Sequence, residues 1–381
     1  MHPSSTARGV TRLAFDAVEG LTHVVEGMHA NIAAVSPPLG RGTNGRTRGI
    51  TGFVYDSIRF VNAGARAALD RGLGLLPAGD GAHEPQPTTL LAVLNGVLGD
   101  HLAATENPLA IPMRLRQEGE PQRRLLVLIH GLCMNDRQWR RNDHDHGDAL
   151  ARELGMTPVY VHYNTGRHVS ENGRELAGLL EGLLDAWPVR DAELTILAHS
   201  MGGLVARSAY HTGAEDGHAW PARLGRLVFL GTPHHGAPLE RGGSWFETLL
   251  GASPYVAPIA RLGMLRSAGI TDLRYGNVRD EDWRDCDRFA RHGDRRALTP
   301  LPHGVECHAF AGGRDVLVPV ASALGLHRDA DRALAFPEPR RWVGRGLDHF
   351  DLLDDAEVYA RLREIMTPDA PPRGRRTHAG A

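Results

Sequence analysis

A serine lies at the junction between an apolar run and a helix-like segment. Residues 194–197 have the composition of a strand buried on both faces, and residues 203–210 resemble the start of a helix. Between them, Ser200 is flanked by small residues at a point where the chain must reverse within a few positions. This pattern predicts a nucleophile elbow, although Ala198 stands where the first glycine of G-x-S-x-G is expected. The alternative is an ordinary strand–turn–helix whose serine only caps the helix.

A second short motif, His130-Gly131-Leu132, follows another apolar run at residues 125–129. A glycine directly after a strand lets the backbone turn, so that the N–H of Leu132 points towards the serine. The N–H of Met201, the residue after the serine, supplies a second donor. Two fixed donors aimed at one point form an oxyanion hole. We therefore predict Leu132 and Met201 as the oxyanion donors, with His130, Gly131 and His199 lining the pocket.

A serine nucleophile needs a base and an acid, and the later part of the chain offers both. Asp315 follows the predicted strand 306–310, and His349 lies in a loop before the last predicted helix. The order serine, acid, histidine along the chain is the order found in α/β-hydrolases. Asp348 and Asp351 are alternative acids. Adjacency counts against Asp348, because its side chain would point away from that of its neighbour.

Other histidines are less informative. His234 and His235 follow the apolar run 227–230, and we predict that they line the pocket. Adjacent histidines rarely ligate one ion without further, well-spaced ligands, so no metal is expected here. The His-Asp-His sequence at residues 144–146 is predicted to be a solvated loop.

The elements that must position these residues alternate between strand and helix. Strands are predicted at residues 125–129, 158–163, 194–197, 227–230, 306–310 and 341–343. Helical stretches separate most of them, which predicts an α/β fold: a mostly parallel sheet with helices on both faces. In such sheets the site lies at the carboxyl ends of the strands.

Three further segments complete the predicted organisation. Residues 1–115 form a helical N-terminal extension, with helices at about 10–35, 49–76 and 90–102 and a polar linker at 77–88. It is either a helical layer packed on the catalytic domain, 116–366, or a module that binds a partner or a membrane surface. Residues 239–300 interrupt the alternation as a lid insertion, or as a loop that covers the sheet edge. Residues 367–381 are a predicted disordered tail.

Composition excludes several classes of function. The net charge is −2, which argues against nucleic-acid binding, and all 43 basic residues counted are arginines, which excludes a lysine Schiff base. Cys133, Cys286 and Cys307 lack metal-ligand spacing and fit a reducing compartment. Neither a secretory signal nor a run long enough to span a bilayer is visible. We expect a cytoplasmic protein, with peripheral membrane contact and oligomeric state left open.

Together these motifs resemble the α/β-hydrolase superfamily, and specifically its lipase and esterase branch. The resemblance covers about residues 122–365 and includes the stretch Gly-Thr-Pro-His-His-Gly at 231–236. That stretch is similar to lipases and to GPI-inositol-deacylase-like bacterial hydrolases. The resemblance implies an α/β-hydrolase fold and ester hydrolysis without a cofactor. It does not identify the ester.

The resulting hypothesis is a serine ester hydrolase with Ser200 as nucleophile, His349 as base and Asp315 as the acid that orients it. The aliphatic and aromatic insertion favours a small-molecule acyl or lipid-like ester as substrate. One alternative is thioesterase or amidase chemistry by the same residues. Another is a hydrolase-fold scaffold that binds a partner or a membrane surface.

Overall fold

The computed structural model describes residues 88–238, 267–286 and 293–367, together with scattered positions between residues 6 and 66. The chain divides into two compact units, residues 1–86 with 101–110 and residues 87–100 with 111–381. The linker at 77–88, most of the insertion and nearly all of the C-terminal tail lie outside the described residues. The lid role and the disordered tail therefore stay predictions, and so do the predicted boundaries at residues 115 and 366.

The first unit is helical wherever it is described between residues 6 and 66. This agrees with the helical periodicity predicted for this part of the chain. Asp16 accepts a hydrogen bond from Arg66 Nη1 at 2.5 Å and lies 2.9 Å from His101 Nε2. Asn107 Nδ2 donates to the carbonyl of Gly9 at 3.1 Å. These polar contacts join positions that are far apart in the sequence of this unit.

The second unit is built on a seven-stranded sheet in the order β1-β3-β2-β4-β5-β6-β7. All neighbouring pairs are parallel except β1 and β3. The six predicted strands are confirmed, whereas β1 was not predicted. The strands are β1 (Arg114–Gln117), β2 (Arg124–Ile129), β3 (Met156–His162), β4 (Glu193–His199), β5 (Leu224–Leu230), β6 (Glu306–Gly312) and β7 (Arg341–Gly344).

Helices connect the strands of this sheet. The helices with defined bounds are α1 (Thr88–Ala104), α2 (His146–Leu154), α3 (Val169–Asp185), α4 (Met201–Glu215), α5 (Ala268–Tyr275), α6 (Val320–Ala323) and α7 (Ala356–Met366). Helix α5 lies within the predicted insertion. Its N-cap Ser267 donates through Oγ to the carbonyl of Gly96 in α1 at 2.6 Å. The described part of the insertion is therefore anchored to α1.

Alternating residues of the central strands send side chains to opposite faces of the sheet. Leu125, Val127 and Ile129 pack in one core with α3 and α4, and Leu126 and Leu128 pack in the other with α2 and α7. Both faces are thus covered by helices, as parallel sheets require. This mostly parallel sheet with helices on both faces is the α/β-hydrolase fold that was predicted. Its carboxyl edge carries the turns that follow β2, β4, β5, β6 and β7.

Candidate active site

Ser200 occupies a sharp turn between β4 and α4. Its backbone adopts φ 54° and ψ −125°, a conformation that non-glycine residues rarely adopt. Tight packing explains the small neighbours, because a Cβ on Gly202 would lie 2.3 Å from the carbonyl oxygen of Ile129. The methyl group of Ala198 is fully buried within the strand. The strained turn and the close approach of helix and strand are the features of a nucleophile elbow.

The imidazole of His349 is paired with the carboxylate of Asp315. His349 Nδ1 lies 2.6 Å from Asp315 Oδ2, and the two side chains are 4% and 1% exposed. The other carboxylate oxygen, Oδ1, accepts the N–H groups of Leu317 and Val318 at 2.8 Å each. These two bonds fix the carboxylate in the turn after β6. An anionic acceptor at Nδ1 places the ring proton there, so that Nε2 is left as the basic nitrogen.

The alternative acids near the histidine are used within their own turn. Asp348 Oδ1 accepts the N–H groups of Phe350 and Asp351 at 2.8 and 3.0 Å. Asp351 Oδ2 accepts the N–H of Asp348 at 2.8 Å. Both carboxylates therefore shape the loop that carries His349, whereas Asp315 contacts its ring.

His199 links the serine turn to the histidine loop. Its Nε2 lies 3.1 Å from the carbonyl oxygen of His349, and the two ring centroids are 4.7 Å apart. Burial lowers the pKa of His199 well below its usual value, so the ring is neutral and donates to that carbonyl. Gly231 packs against the imidazole of His349, since a Cβ on this glycine would lie 3.1 Å from His349 Nδ1. Ser200 and His349 are thus held at one edge of the sheet. The described hydrogen bonds do not join them directly, and such bonds often tighten only with substrate.

The loop after β2 packs directly on the serine. A Cβ on Gly131 would lie 3.0 Å from Ser200 Cβ. Farther along this loop, the N–H of Cys133 donates to Thr165 Oγ1 at 3.1 Å and so orients the loop. The sequence did not predict this contact. In the described part of the chain, the N–H groups of Leu132 and Met201 donate to no protein acceptor. Both remain available to an anionic oxygen beside Ser200.

His130 lies beneath this loop and is fully buried. Its ring stacks on Tyr163 with centroids 4.5 Å apart, and Nδ1 lies 2.9 Å from the carbonyl oxygen of Gly131. Burial lowers the pKa of His130 to about 3, so the ring stays neutral near physiological pH. Tyr163 donates its hydroxyl to the His130 carbonyl at 2.7 Å. This pair supports the loop after β2 from below, and its tyrosine carries no motif that sequence reasoning could have used.

The remaining predicted histidines lie elsewhere. His234 and His235 line a cavity of about 630 Å³ whose described lining does not include Ser200, Asp315 or His349. The predicted solvated loop at residues 144–146 is wrong for His146, which is fully buried at the start of α2. Its Nε2 lies 3.2 Å from the carbonyl oxygen of Leu352, a long-range contact that local sequence does not indicate.

Two wider features complete the description. Among the described residues there is no group of three His, Cys, Asp or Glu side chains suited to hold a metal ion. Within the same residues, no helix combines the length and apolar character needed to cross a bilayer.

Comparisons with known proteins concern the fold. Residues 99–270 match the model of a family described as a domain of unknown function (DUF7379). The matched segment includes Ser200 and ends before Asp315 and His349. No curated protein matches the chain.

Similar solved structures include the mature form of a Bacillus licheniformis lipase, with 17% identity, a TM-score of 0.44 and coverage of 67% of this chain and 98% of that one. An esterase from Thermogutta terrifontis has 17% identity and a TM-score of 0.38, and the match covers 66% of this chain and 92% of the esterase. A type II thioesterase of the yersiniabactin biosynthetic pathway has 17% identity and a TM-score of 0.38, and the match covers 66% of this chain and 96% of the thioesterase.

Proposed function

We propose that this chain is a serine hydrolase that cleaves carboxylic esters through an acyl-enzyme. The observation that carries the proposal is the pairing of His349 Nδ1 with Asp315 Oδ2 at 2.6 Å, at the same sheet edge as the strained turn of Ser200. A buried, oriented imidazole at the same sheet edge as a strained strand-to-helix turn is the arrangement that serine nucleophiles need, because a hydroxyl near its free pKa is a weak nucleophile.

In the proposed reaction, Ser200 Oγ attacks the ester carbonyl while its proton passes to His349 Nε2. The N–H groups of Leu132 and Met201 bind the oxygen that becomes negative. The imidazolium is stabilised by Asp315 and then protonates the leaving alcohol, which departs and leaves the acyl group on the serine. Water attacks this acyl-enzyme, with His349 again taking the proton, and the carboxylic acid is released. Each donor of the oxyanion hole contributes on the order of a hundredfold in rate.

The substrate class is inferred from the composition of the insertion and from residues 231–236. The predicted insertion carries aliphatic and aromatic residues, which favours an acyl or lipid-like ester over a charged one. The GPI-inositol-deacylase-like character of residues 231–236 belongs to the same proposal. Thioester or amide cleavage would use the same residues, and p-nitrophenyl butyrate, butyrylthiocholine and butyryl p-nitroanilide separate the three chemistries.

The test is hydrolysis of p-nitrophenyl esters of increasing acyl length by the wild type, Ser200→Ala and Ser208→Ala. Ser208 is the matched control, because it is a buried serine on α4 that is not at a strand end. We expect Ser200→Ala to lose at least a thousandfold in kcat, and Ser208→Ala to retain activity. Full turnover by Ser200→Ala would sink the proposal. A catalytically inert wild type that sediments with liposomes would favour the scaffold alternative.

A further inference from the structure

The loop after β2 contains a strained turn directly beside Ser200. The N–H of Met134 donates to the carbonyl oxygen of Gly131 at 3.3 Å, which closes a β-turn over residues 131–134. Cys133, at the third position of this turn, has a left-handed backbone with φ 59°, whereas Leu132 at the second position does not. A type II turn requires this conformation at its third position, and glycine is the usual residue there. The turn therefore holds a cysteine where the backbone favours glycine, and other contacts must stabilise it.

The hydroxyl of Thr165 binds the central peptide group of this turn. Thr165 Oγ1 accepts the N–H of Cys133 at 3.1 Å, and Thr165 is only 1% exposed. Type I and type II turns differ by a rotation of roughly half a turn about the central peptide. In a type I turn the N–H of Cys133 would point away from Thr165, and this hydrogen bond would be lost. The hydrogen bond therefore favours the left-handed form of the turn.

The loop that carries Thr165 is itself immobilised. The preceding Asn164 accepts the N–H of Gly166 through Oδ1 at 3.0 Å, and its Nδ2 donates to the carbonyl oxygen of Gly99 in α1 at 2.9 Å. The N–H of Gly269 in α5 donates to the carbonyl oxygen of Gly166 at 3.0 Å. Because α1 and α5 both hold this loop, the hydroxyl of Thr165 is a fixed acceptor for the turn.

The N–H of Leu132 lies between two anchored parts of the backbone. On its N-terminal side, Gly131 packs against the serine, since a Cβ on this glycine would lie 3.0 Å from Ser200 Cβ. On its C-terminal side is the peptide group bound by Thr165. The backbone of Leu132 joins these two parts, so the direction of its N–H depends on both anchors. A displacement of about 1 Å at a catalytic group can cost on the order of a hundredfold in rate.

We propose that Thr165 is a positioning residue for the oxyanion hole. Its hydroxyl keeps the turn at residues 131–134 in the left-handed form and so directs the N–H of Leu132 towards the oxygen that becomes negative when Ser200 attacks. This role rests on the proposed function, because it concerns the same oxyanion hole. Thr165 acts through the backbone of the turn and takes no part in the chemistry itself. A purely structural threonine would affect stability alone, whereas a positioning residue also affects kcat.

The test compares two substitutions of Thr165 in the hydrolysis of p-nitrophenyl butyrate. Thr165→Val removes the hydroxyl and keeps the branched shape, whereas Thr165→Ser keeps the hydroxyl. We expect Thr165→Val to lower kcat on the order of tenfold to a hundredfold, because one donor to the developing oxyanion is displaced. Its KM should change by less than about threefold, since that donor acts mainly in the transition state. Thr165→Ser should keep kcat within about threefold of the wild type.

Thr157→Val is the matched control on β3. Thr157 is also 1% exposed, and its hydroxyl accepts the N–H of Gln122 and donates to the carbonyl oxygen of Glu120, at 2.8 Å each. It lies near the start of β3, at the edge of the sheet opposite the turn that follows β2. The control therefore loses a buried, hydrogen-bonded hydroxyl without altering the turn. We expect it to unfold at a lower denaturant concentration than the wild type and to keep the wild-type kcat.

A trifluoromethyl ketone gives a second readout of the oxyanion hole. Ser200 Oγ bonds to the carbonyl carbon of the ketone, the hydroxyl proton passes to His349, and the carbonyl oxygen becomes an anion bound by the hole. We expect Thr165→Val to raise the inhibition constant by about the factor by which kcat/KM falls. Thr157→Val should leave the inhibition constant unchanged.

The possible failures of this role and of the proposed function are distinct. Where the wild type is active and Ser200→Ala is not, an unchanged kcat in folded Thr165→Val would overturn the role of Thr165 alone. Thr165→Ala is judged by the same criterion should Thr165→Val not fold. A Thr165→Ser variant as slow as Thr165→Val would also contradict the role. An inert wild type, or full activity in Ser200→Ala, would overturn the proposed function and this role with it.

Discussion

Replacing Asp315 by asparagine tests the pairing on which the proposed chemistry rests. The substitution keeps the shape of the side chain, and its carbonyl Oδ1 still accepts the N–H groups of Leu317 and Val318, which lie 2.8 Å from Asp315 Oδ1. The amide group takes the place of Oδ2, which is 2.6 Å from His349 Nδ1. Its N–H₂ donates, so the imidazole must accept at Nδ1 and carry its proton on Nε2.

That tautomer cannot take the proton of Ser200, and the imidazolium also loses its neighbouring negative charge. We expect kcat/KM for p-nitrophenyl butyrate at neutral pH to fall by on the order of 10³ to 10⁴. This corresponds to about 4 to 5.5 kcal/mol of transition-state stabilisation. Because the two loop hydrogen bonds remain, the free energy of unfolding is expected to change by less than about 3 kcal/mol. Asp315→Ala loses those bonds as well and should be the less stable variant.

Asp348→Asn is the matched control in the loop that carries His349. Its Oδ1 can still accept the N–H groups of Phe350 and Asp351, and Asp348 does not contact the imidazole through its carboxylate. We expect this variant to keep kcat/KM close to that of the wild type. A kcat/KM of Asp315→Asn within tenfold of the wild type would refute the proposed role of the Asp315–His349 pair. If Asp348→Asn loses activity instead, the acid has been misassigned.

Three further expectations concern stability and are measured by chemical denaturation. Gly202→Ala should lower the free energy of unfolding by about 1–3 kcal/mol or more, because its Cβ would lie 2.3 Å from a backbone oxygen. In Gly178→Ala, on α3, the new Cβ meets no atom within 4 Å, so this variant should raise the free energy of unfolding by about 0.5–1 kcal/mol. Asp272→Ala should lose about 3 kcal/mol, because this fully buried carboxylate accepts three hydrogen bonds. Burial lowers the pKa of His146 from 6.5 to about 3. Between pH 6.5 and about 3 the imidazole is therefore protonated in the unfolded chain and neutral in the folded one, so stability falls as the pH is lowered through this range. His146→Phe should flatten this profile by about 1.4 kcal/mol per pH unit.

The central strands and the serine turn could be predicted because their signals are local. A short apolar run before a small-residue turn is typical of a buried strand. Asp315 could be chosen over Asp348 because neighbouring side chains diverge. Its placement beside His349 agrees with that argument.

Other features depend on contacts that sequence does not encode locally. The edge strand β1 has the polar sequence Arg-Leu-Arg-Gln and shows no apolar alternation, because only its backbone pairing with β3 defines it. His146 and Arg207 are polar residues in ordinary helical sequence, and the elements that bury them are more than ninety residues away along the chain. The pocket-lining role predicted for His234 and His235 stays a prediction, and the described cavity that they line does not include the serine.

The most direct test of the central claim is labelling with a fluorophosphonate probe, with the modified peptide identified by mass spectrometry. The wild type, His349→Ala and Asp348→Asn are compared under one set of conditions. We expect modification at Ser200 in the wild type and in Asp348→Asn, and its loss in His349→Ala, because only an activated serine attacks the probe. Labelling of Ser200 that is undiminished in His349→Ala, or modification of a different serine, would contradict the account.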